Sequence, residues 1–364
     1  MQEVSGRLPG AGRSARGNLP RSYGWLVPVR LSAIAERAGV SASTVSRVLN
    51  DRPGVHKRTR QRVLTAIDVL GYDRPYRLRP RATGLVGLLI PELENPFFPR
   101  LAKLVEAHLT RAGFALVLCS QTVDGTHEDE YVQMLVEHGV SGIIFVSGVH
   151  ALVDSNPERY ARLADMGMPF VCINGGVPGV AAPFLSTDDT TSVELGLNHL
   201  FQMGHQRLGI ALGQPIYVPV RRRAAAFRNW LEQHDLKPEG LEVEDLIECT
   251  EYSVEGGVVA AERLLGRGVT GILCGSDVMA LGVLRAARRA ALRVPQDLSI
   301  IGNDDSMLME NTDPPLTTVR QPAAALAEAA CRELMDQMSG KLAREGEVLY
   351  QPELIVRGSS GRAA

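Results

Sequence analysis

Hydrophobic positions along the chain keep two different rhythms. Between Leu31 and Leu70 they recur every three or four residues: Leu31, Ile34, Ala35 and Ala38, then Val45, Val48 and Leu49, then Val63, Ile67 and Leu70. That spacing lays one apolar face along a helix, so three short helices are expected, the third near 57–71. Gly39 can adopt the left-handed conformation that ends the first helix, the Ser41 hydroxyl can cap the start of the second, and Asn50 to Gly54 breaks the pattern. Helices this short are marginal alone, so the three must bury one another. From Gly84 the rhythm changes to continuous apolar runs, 84–90, 115–119, 142–146 and 170–173, separated by amphipathic stretches near 97–112, 127–138 and 157–166. A second series follows, with strands near 207–212, 244–248, 271–274 and 298–302 and helices near 219–234, 254–266, 277–292 and 322–338. Strands that are apolar at every position need cover on both faces, which implies two parallel sheets flanked by crossover helices. A ligand then sits beyond the strand C-termini, between two lobes.

Composition sharpens this picture. The chain has 364 residues, 45% of them hydrophobic, enough for at least one large core. No run approaches the roughly 18 apolar residues of a membrane span, and the first thirty residues lack the apolar segment and small-residue cleavage site of an export signal. Cys119, Cys172, Cys249, Cys274 and Cys331 are scattered and contain no CxxC pair, so a reducing cytoplasm is expected, without a disulfide framework or a cysteine zinc site. Residues 1–29, rich in Gly, Pro, Ser and Arg and without periodicity, are expected to be a disordered arm.

The net charge of -2 hides an asymmetry: residues 1–81 carry 16 Lys and Arg against 5 Asp and Glu, or +11, leaving 23 against 36, or -13, for the rest. A polyanion such as DNA attracts the first segment and is repelled by the second. Ala35, Gly39 and Val45 fit a helix-turn-helix, in which a small residue admits the second helix, glycine makes the turn and valine packs the corner. The second helix then enters the major groove, offering Ser41, Ser43, Thr44, Ser46 and Arg47 for backbone anchoring and base reading. Lys57, Arg58, Arg60 and Arg62 crowd the start of the third helix.

Residues 30–72, above all Val40-Ser41-Ala42-Ser43-Thr44-Val45-Ser46-Arg47-Val48-Leu49-Asn50 and the later Arg60, Val63 and Gly71-Tyr72, closely resemble the headpiece of the LacI/GalR family of bacterial transcriptional regulators. The resemblance implies that Ala42 and Ser43 are the principal base readers, that Arg47 is a further groove-facing residue, and that Asn50 and the segment after it touch phosphate and brace the fold. Ser41, Thr44, Ser46, Lys57 and Arg60 join that backbone-contacting or bracing set. Family members commonly continue into a hinge helix that wedges a leucine into the minor groove. Here the connection is short and carries Pro75 and Pro80, and proline inside a helix costs about 3 kcal/mol. Either a turn ahead of Pro80 presents Leu78 as the wedge, or Arg77, Arg79 and Arg81 follow the minor groove in extended form; the second proline favours the extended form. Headpieces of the family begin close to the first helix, so a translation start near Val27 or Val29 is the alternative to an N-terminal arm.

The resemblance runs over roughly residues 30–358. It is carried by Asn95-Pro96-Phe97-Phe98, Asp188, Gly204-His205, Arg223 with Phe227, Cys274-Gly275-Ser276-Asp277, Val294-Pro295-Gln296-Asp297, Ile301-Gly302-Asn303-Asp304 and Pro315-Leu316-Thr317-Thr318-Val319-Arg320-Gln321-Pro322. The implied fold is multidomain: an all-α helix-turn-helix headpiece (30–72), a hinge (73–83), a two-lobed α/β periplasmic-binding-protein-like effector and dimerisation domain with parallel sheets (84–358), and a flexible tail (359–364). The family's three crossings between lobes imply that the first lobe recovers a segment near 298–318 and that the last helix returns after the second crossing.

Effector chemistry is expected where Arg223 offers a fork of donors and Asp277 two acceptor oxygens, a pair suited to adjacent hydroxyls of a sugar or other compact polyol. Phe97 or Phe98 can cap an apolar ring face while its neighbour packs inward. The resemblance adds Asn303, Asp304, Asp188 and Asp189 to the cleft, the acids having helix capping and strand-end bonding as competing roles. Where family members often place an aromatic platform this chain has Glu251 followed by Tyr252, so the platform is shifted by one residue or absent. A sugar is the first expectation, then a sugar acid or phosphorylated sugar, then a purine-like ring.

No GxxxxGK[ST], HExxH or GxSxG motif occurs, and His199 and His205 have no neighbouring ligand trio, so neither a cofactor, a metal nor catalysis is expected. The expected protein is a sequence-specific DNA-binding regulator, a repressor by first expectation, acting as a homodimer on an inverted-repeat operator whose affinity a small effector modulates. A sugar-binding protein or enzyme without DNA, and an architectural DNA protein, are the competing classes.

Overall fold

The computed structural model describes residues 31–50, 52–70, 84–121, 127–236 and 239–363. The chain divides into two units, Met1–Pro80 and Arg81–Ala364. In the first, α1 (Leu31–Ala38), α2 (Ala42–Leu49) and α3 (Lys57–Val69) enclose Ile34, Ala35, Ala38, Val45, Val48, Val63, Ala66 and Ile67, the stripes marked by the periodicity. Ser41 caps α2, its hydroxyl accepting from the Thr44 N–H at 3.2 Å. Gly39 has φ of +61° and ends α1; a methyl there would lie 2.6 Å from Arg62 Nη2, because the Arg62 guanidinium donates to the carbonyls of Ala38 and Gly39. Arg62 therefore closes the end of α1.

The second unit holds two six-stranded sheets. The first contains β1 (Gly84–Ile90), β2 (Phe114–Ser120), β3 (Gly142–Val146), β4 (Phe170–Ile173), β5 (Pro183–Thr187) and β11 (Gly346–Tyr350), in the order β11-β5-β4-β3-β1-β2 and parallel throughout. In β1 the residues Val86, Leu88 and Ile90 face α4 (Phe97–Arg111) and α11 (Ala323–Met338), while Leu89 joins the other face with α5 (Glu128–Glu137) and α6 (Glu158–Asp165). Two covered faces explain why the strand is apolar at almost every position.

The second sheet contains β6 (Leu208–Leu212), β7 (Ile247–Cys249), β8 (Gly271–Cys274), β9 (Ser299–Asn303), β10 (Thr317–Arg320) and β12 (Glu353–Ile355), in the order β12-β10-β9-β8-β6-β7. It is flanked by α7 (Asp189–Gln202), α8 (Val218–Gln233), α9 (Val254–Gly266) and α10 (Asp277–Arg289). Its strands are parallel except β12, which pairs antiparallel with β10. The strand expected at 244–248 is shorter and later, a helical turn occupying Val243–Leu246.

The chain crosses between lobes at 187–189, 320–323 and 350–353, but the segment 298–318 does not return to the first lobe. Ser299 to Asn303 pair with β8 and β10 inside the second sheet, and it is α11 and β11 that rejoin the first lobe. Nor are residues 359–363 a flexible tail. Ser359 Oγ donates to Ile300 O and accepts from Thr317 N, Gly361 is bonded to Ser299 and His205, and Ala363 N donates to Met203 O. Small polar residues let this strip lie against the ends of β9 and β10, with Ser359 O, both backbone groups of Gly361 and Ala363 N finding partners. Among the described residues no helix is long and apolar enough to cross a membrane.

Candidate functional site

The C-terminal ends of β1, β6, β8 and β9 gather most of the residues expected at a cleft. Arg223 enters from α8. Its Nε donates to Asp189 Oδ1 at 2.8 Å and Nη1 to Gly275 O at 2.8 Å, leaving Nη2 without a hydrogen bond among the described residues. Only 6% of Arg223 is exposed. Burial opposes its charge, but the Asp189 carboxylate and the neighbouring Tyr252 and Asp304 outweigh that and hold the guanidinium above its ordinary pKa. At Asp189 burial wins over Arg223 and raises the carboxyl. The 2.8 Å contact holds the two enclosed partners as an ion pair at neutral pH.

Asp304 follows β9. Its Oδ1 accepts from Gln321 Nε2 and Asn303 Nδ2, and Oδ2 accepts one longer bond, 3.2 Å, from Asn95 Nδ2 of the first lobe. The backbone here has φ of +126° at Asp304 and +53° at Asp305, conformations that cost about 1–3 kcal/mol each in a non-glycine residue and persist only where surrounding bonds dictate them. Those bonds are present: Asp304 N donates to Val319 O, Asp305 N to Thr318 Oγ1, and the Asp305 carboxylate is clamped by Arg320 and Arg357.

Asp277 belongs to this bracing rather than to the open groups. It is fully buried, its Oδ2 accepting from Ser306 N and Ser306 Oγ at 2.7 Å each and its Oδ1 from Thr318 Oγ1 at 2.6 Å. With both oxygens held at 2.6–2.7 Å by Ser306 and Thr318, whereas Asp304 Oδ2 has only the 3.2 Å bond from Asn95, the expected acceptor of the cleft serves as a strut beneath the strained Asp304 loop. Burial, helped by the charge of Asp304, pushes its carboxyl above the usual range; burial does the same to Asp304.

Tyr252 lies against Gly213 and Gly275; a methyl at Gly213 would meet its ring at 2.0 Å. Its hydroxyl is pushed up to about 12 by burial. Asp188 caps α7, accepting from Thr191 N and from Gln351 Nε2, which is the competing role weighed for it. Phe97 is buried in the core of the first lobe, and Phe98, half-buried, meets it edge to face with ring centroids 5.5 Å apart. Gln321, Ser306, Thr318 and the Asn95 amide had no assigned part. Asn95 and Gln321 carry no charge, and although both stand in stretches that carry the family resemblance, only the fold brings them to Asp304 across 209 and 17 residues.

In the headpiece, Ala42, Ser43 and Arg47 are exposed on α2, while Thr44 and Ser46 are half-buried. The Ser41 hydroxyl bonds those of Ser43 and Thr44. Asn50 Nδ2 donates to Ser46 O at 2.9 Å, so the asparagine closes the helix. Lys57 is exposed and Arg60 half-buried at the start of α3. The hinge residues Arg77, Leu78, Arg79 and Arg81 and the arm 1–29 lie outside the described residues. Among the described residues no cluster of three or more His, Cys, Asp or Glu is placed to hold a metal ion.

A trihelical headpiece with an exposed polar second helix, followed by two parallel-dominated lobes around a polar cleft, defines a two-part DNA-binding regulator. Comparison with known proteins agrees: residues 30–74 match bacterial regulatory proteins of the lacI family, and residues 197–360 match a periplasmic binding protein-like domain. The chain is 51% identical over 335 residues to the HTH-type transcriptional regulator MalR of Streptomyces coelicolor, covering 92% of this chain and 97% of that one. Among solved structures, the transcriptional regulator CelR–cellobiose complex superposes with a TM-score of 0.66 at 28% identity, covering 90% of this chain and 99% of that one. The lac repressor dimer bound to operator and the anti-inducer ONPF gives 0.65 at 26%, covering 92% and 99%. The chain belongs to the LacI family and is a DNA-binding transcriptional regulator, not an enzyme.

Proposed function

We propose that the protein is a repressor that binds an inverted-repeat operator as a homodimer and changes its operator affinity when a neutral sugar occupies the cleft. The observation that carries the reading is the enclosed Arg223–Asp189–Asp304 group beside Tyr252: one guanidinium nitrogen uncommitted, one carboxylate oxygen lightly held, and a ring alongside. A donor and an acceptor beside an aromatic face suit the hydroxyl edge and apolar face of a pyranose. The cellobiose complex of CelR supports the same ligand class. Ala42, Ser43 and Arg47 read bases in this account, while Ser41, Thr44, Ser46, Asn50, Lys57 and Arg60 contact phosphate or hold the helices. Arg77, Leu78, Arg79 and Arg81 engage the minor groove.

Dimerisation is supported by β2, the edge strand of the first sheet. Its sequence Phe-Ala-Leu-Val-Leu-Cys-Ser is apolar almost throughout, yet Leu118 is 44% exposed. An apolar edge of this kind calls for a partner, and the lac repressor binds its operator as a dimer. The test is selection of genomic fragments by the purified chain, followed by a thermal-shift panel of neutral sugars, sugar phosphates and nucleobases. A palindromic site and a saturable shift with a neutral sugar are expected. Saturable binding of a nucleobase alone, or equal affinity for random duplex, would overturn the reading.

A further inference from the structure

After Val218-Pro219-Val220, helix α8 carries three consecutive arginines, Arg221, Arg222 and Arg223, and steps of about 100° per residue send them to three different places. Arg221 Nε donates to Pro215 O at the surface, and Arg223 turns inward to Asp189. Arg222 reaches across to the other lobe. There its Nη1 and Nη2 meet Glu347 Oε1 and Oε2 of β11 at 2.8 and 2.7 Å, a two-pronged ion pair. Glu347 is itself fixed in the first lobe by the Ser186 hydroxyl. One turn earlier the same helix is held a second time. Tyr217, which precedes its first residue, forms an antiparallel bridge with Leu152, and Val153 N donates to Ile216 O at 2.9 Å. The first lobe thus grips the start of α8 at two points belonging to different segments, strand β11 and the loop after β3.

We infer that this double grip is a clasp that holds the lobes together, with the Arg222–Glu347 pair as its adjustable half. Arg223 sits next to Arg222 on the helix and only a small part of it is exposed, the small cavity behind it, lined by Ser192, Val193, Leu273 and Asn303 among others, lying within the second lobe. Parting of α8 from β11 widens the approach to the Arg223 guanidinium from the first-lobe side. The clasp therefore sets how often the cleft opens. Both of its charged partners are part-exposed, so the pair is weak enough to break thermally and is screened by salt. Its consequence for effector entry rests on the cleft being the effector site; the clasp itself does not.

Hydrogen exchange of the full chain tests it without any ligand, because the Val153 amide is bonded across the lobes. In Arg222→Gln and in Glu347→Gln, exchange in the 149–156 peptide is expected to quicken roughly fivefold, while peptides from β1 and β8 keep their rates. The charge-swapped double variant Arg222→Glu with Glu347→Arg is expected to restore most of the protection. Unchanged exchange at 149–156 in both single variants would overturn the clasp. So would acceleration spread evenly over β4 and β5, which would make Glu347 a strut of the first lobe alone, and so would failure of the swap to restore protection.

Discussion

Replacing Asp277 separates a strut from a ligand contact. The side chain is fully buried and accepts three hydrogen bonds, two from Ser306 and one from Thr318, that fix a loop with two consecutive positive-φ aspartates. Asp277→Ala removes both acceptor oxygens and with them all three bonds. At about 1 kcal/mol net for each bond the loss is about 3 kcal/mol, which lowers the melting temperature of the second unit by roughly 6–12 °C. Asp277→Asn behaves differently. Its amide oxygen can accept both Ser306 bonds and its NH₂ can donate to a reoriented Thr318 hydroxyl, so the loss at acid pH is within about 1 kcal/mol. The pH dependence has a definite sign. Burial, with the charge of Asp304, raises the carboxyl in the folded chain, so the folded state keeps a proton that the unfolded state releases. Stability from that proton is complete below the ordinary carboxylate pKa and is lost as pH rises through the folded value. Asn carries no such proton, so Asp277→Asn gains on the wild type between about pH 4 and pH 8. The assay is differential scanning calorimetry of wild type and both variants across that range, with no sugar present. An unchanged melting temperature for Asp277→Ala, or a wild type that gains on Asp277→Asn as pH rises, would refute the bracing role.

Other substitutions probe other joints. Arg223→Ala leaves Asp189 buried without its partner and is expected to cost the second unit about 3–5 kcal/mol in urea unfolding, whereas Arg223→Lys keeps the charge, loses the fork and retains most of the stability. Gly39→Ala places a side chain at φ of +61° against Arg62, and is expected to cost the headpiece about 1 kcal/mol or more, seen as earlier melting of helical signal and weaker binding to every duplex. Ser359→Ala removes two buried hydrogen bonds and is expected to cost about 1–2 kcal/mol; a melting curve identical to the wild type would show that the C-terminal strip contributes nothing.

The reading from sequence was sound where one segment's pattern decides its own structure. The stripes of α1, α2 and α3 and the apolar runs of β1, β3 and β4 lie where periodicity put them, since a strand covered on both faces or a helix covered on one leaves a local trace. What depends on distant partners left little. Gly346–Tyr350 and Glu353–Ile355 are short edge strands with mixed polarity, and nothing within them says which lobe each joins. The misplacement of 298–318 has the same origin: an apolar strand fits either sheet until its neighbour is known. At the cleft, Arg223, Asp189, Tyr252, Asn303 and Asp304 come together, but Asp277 and Asp304 look equally suited to a ligand in one dimension. Only the positions of Ser306 and Thr318 show that one carboxylate is already occupied.

The account turns on communication between the cleft and the DNA, and fluorescence anisotropy measures it directly. The full chain is titrated onto the palindromic duplex recovered by genomic selection, at fixed salt, with and without the neutral sugar that saturates the thermal-shift response, for wild type and Arg223→Lys. The expected result is a sugar-dependent change of about tenfold or more in wild-type operator affinity, within the usual range of allosteric coupling, with no change on random duplex and a much smaller response in Arg223→Lys. An operator affinity that is the same with the cleft saturated and without sugar would contradict the account.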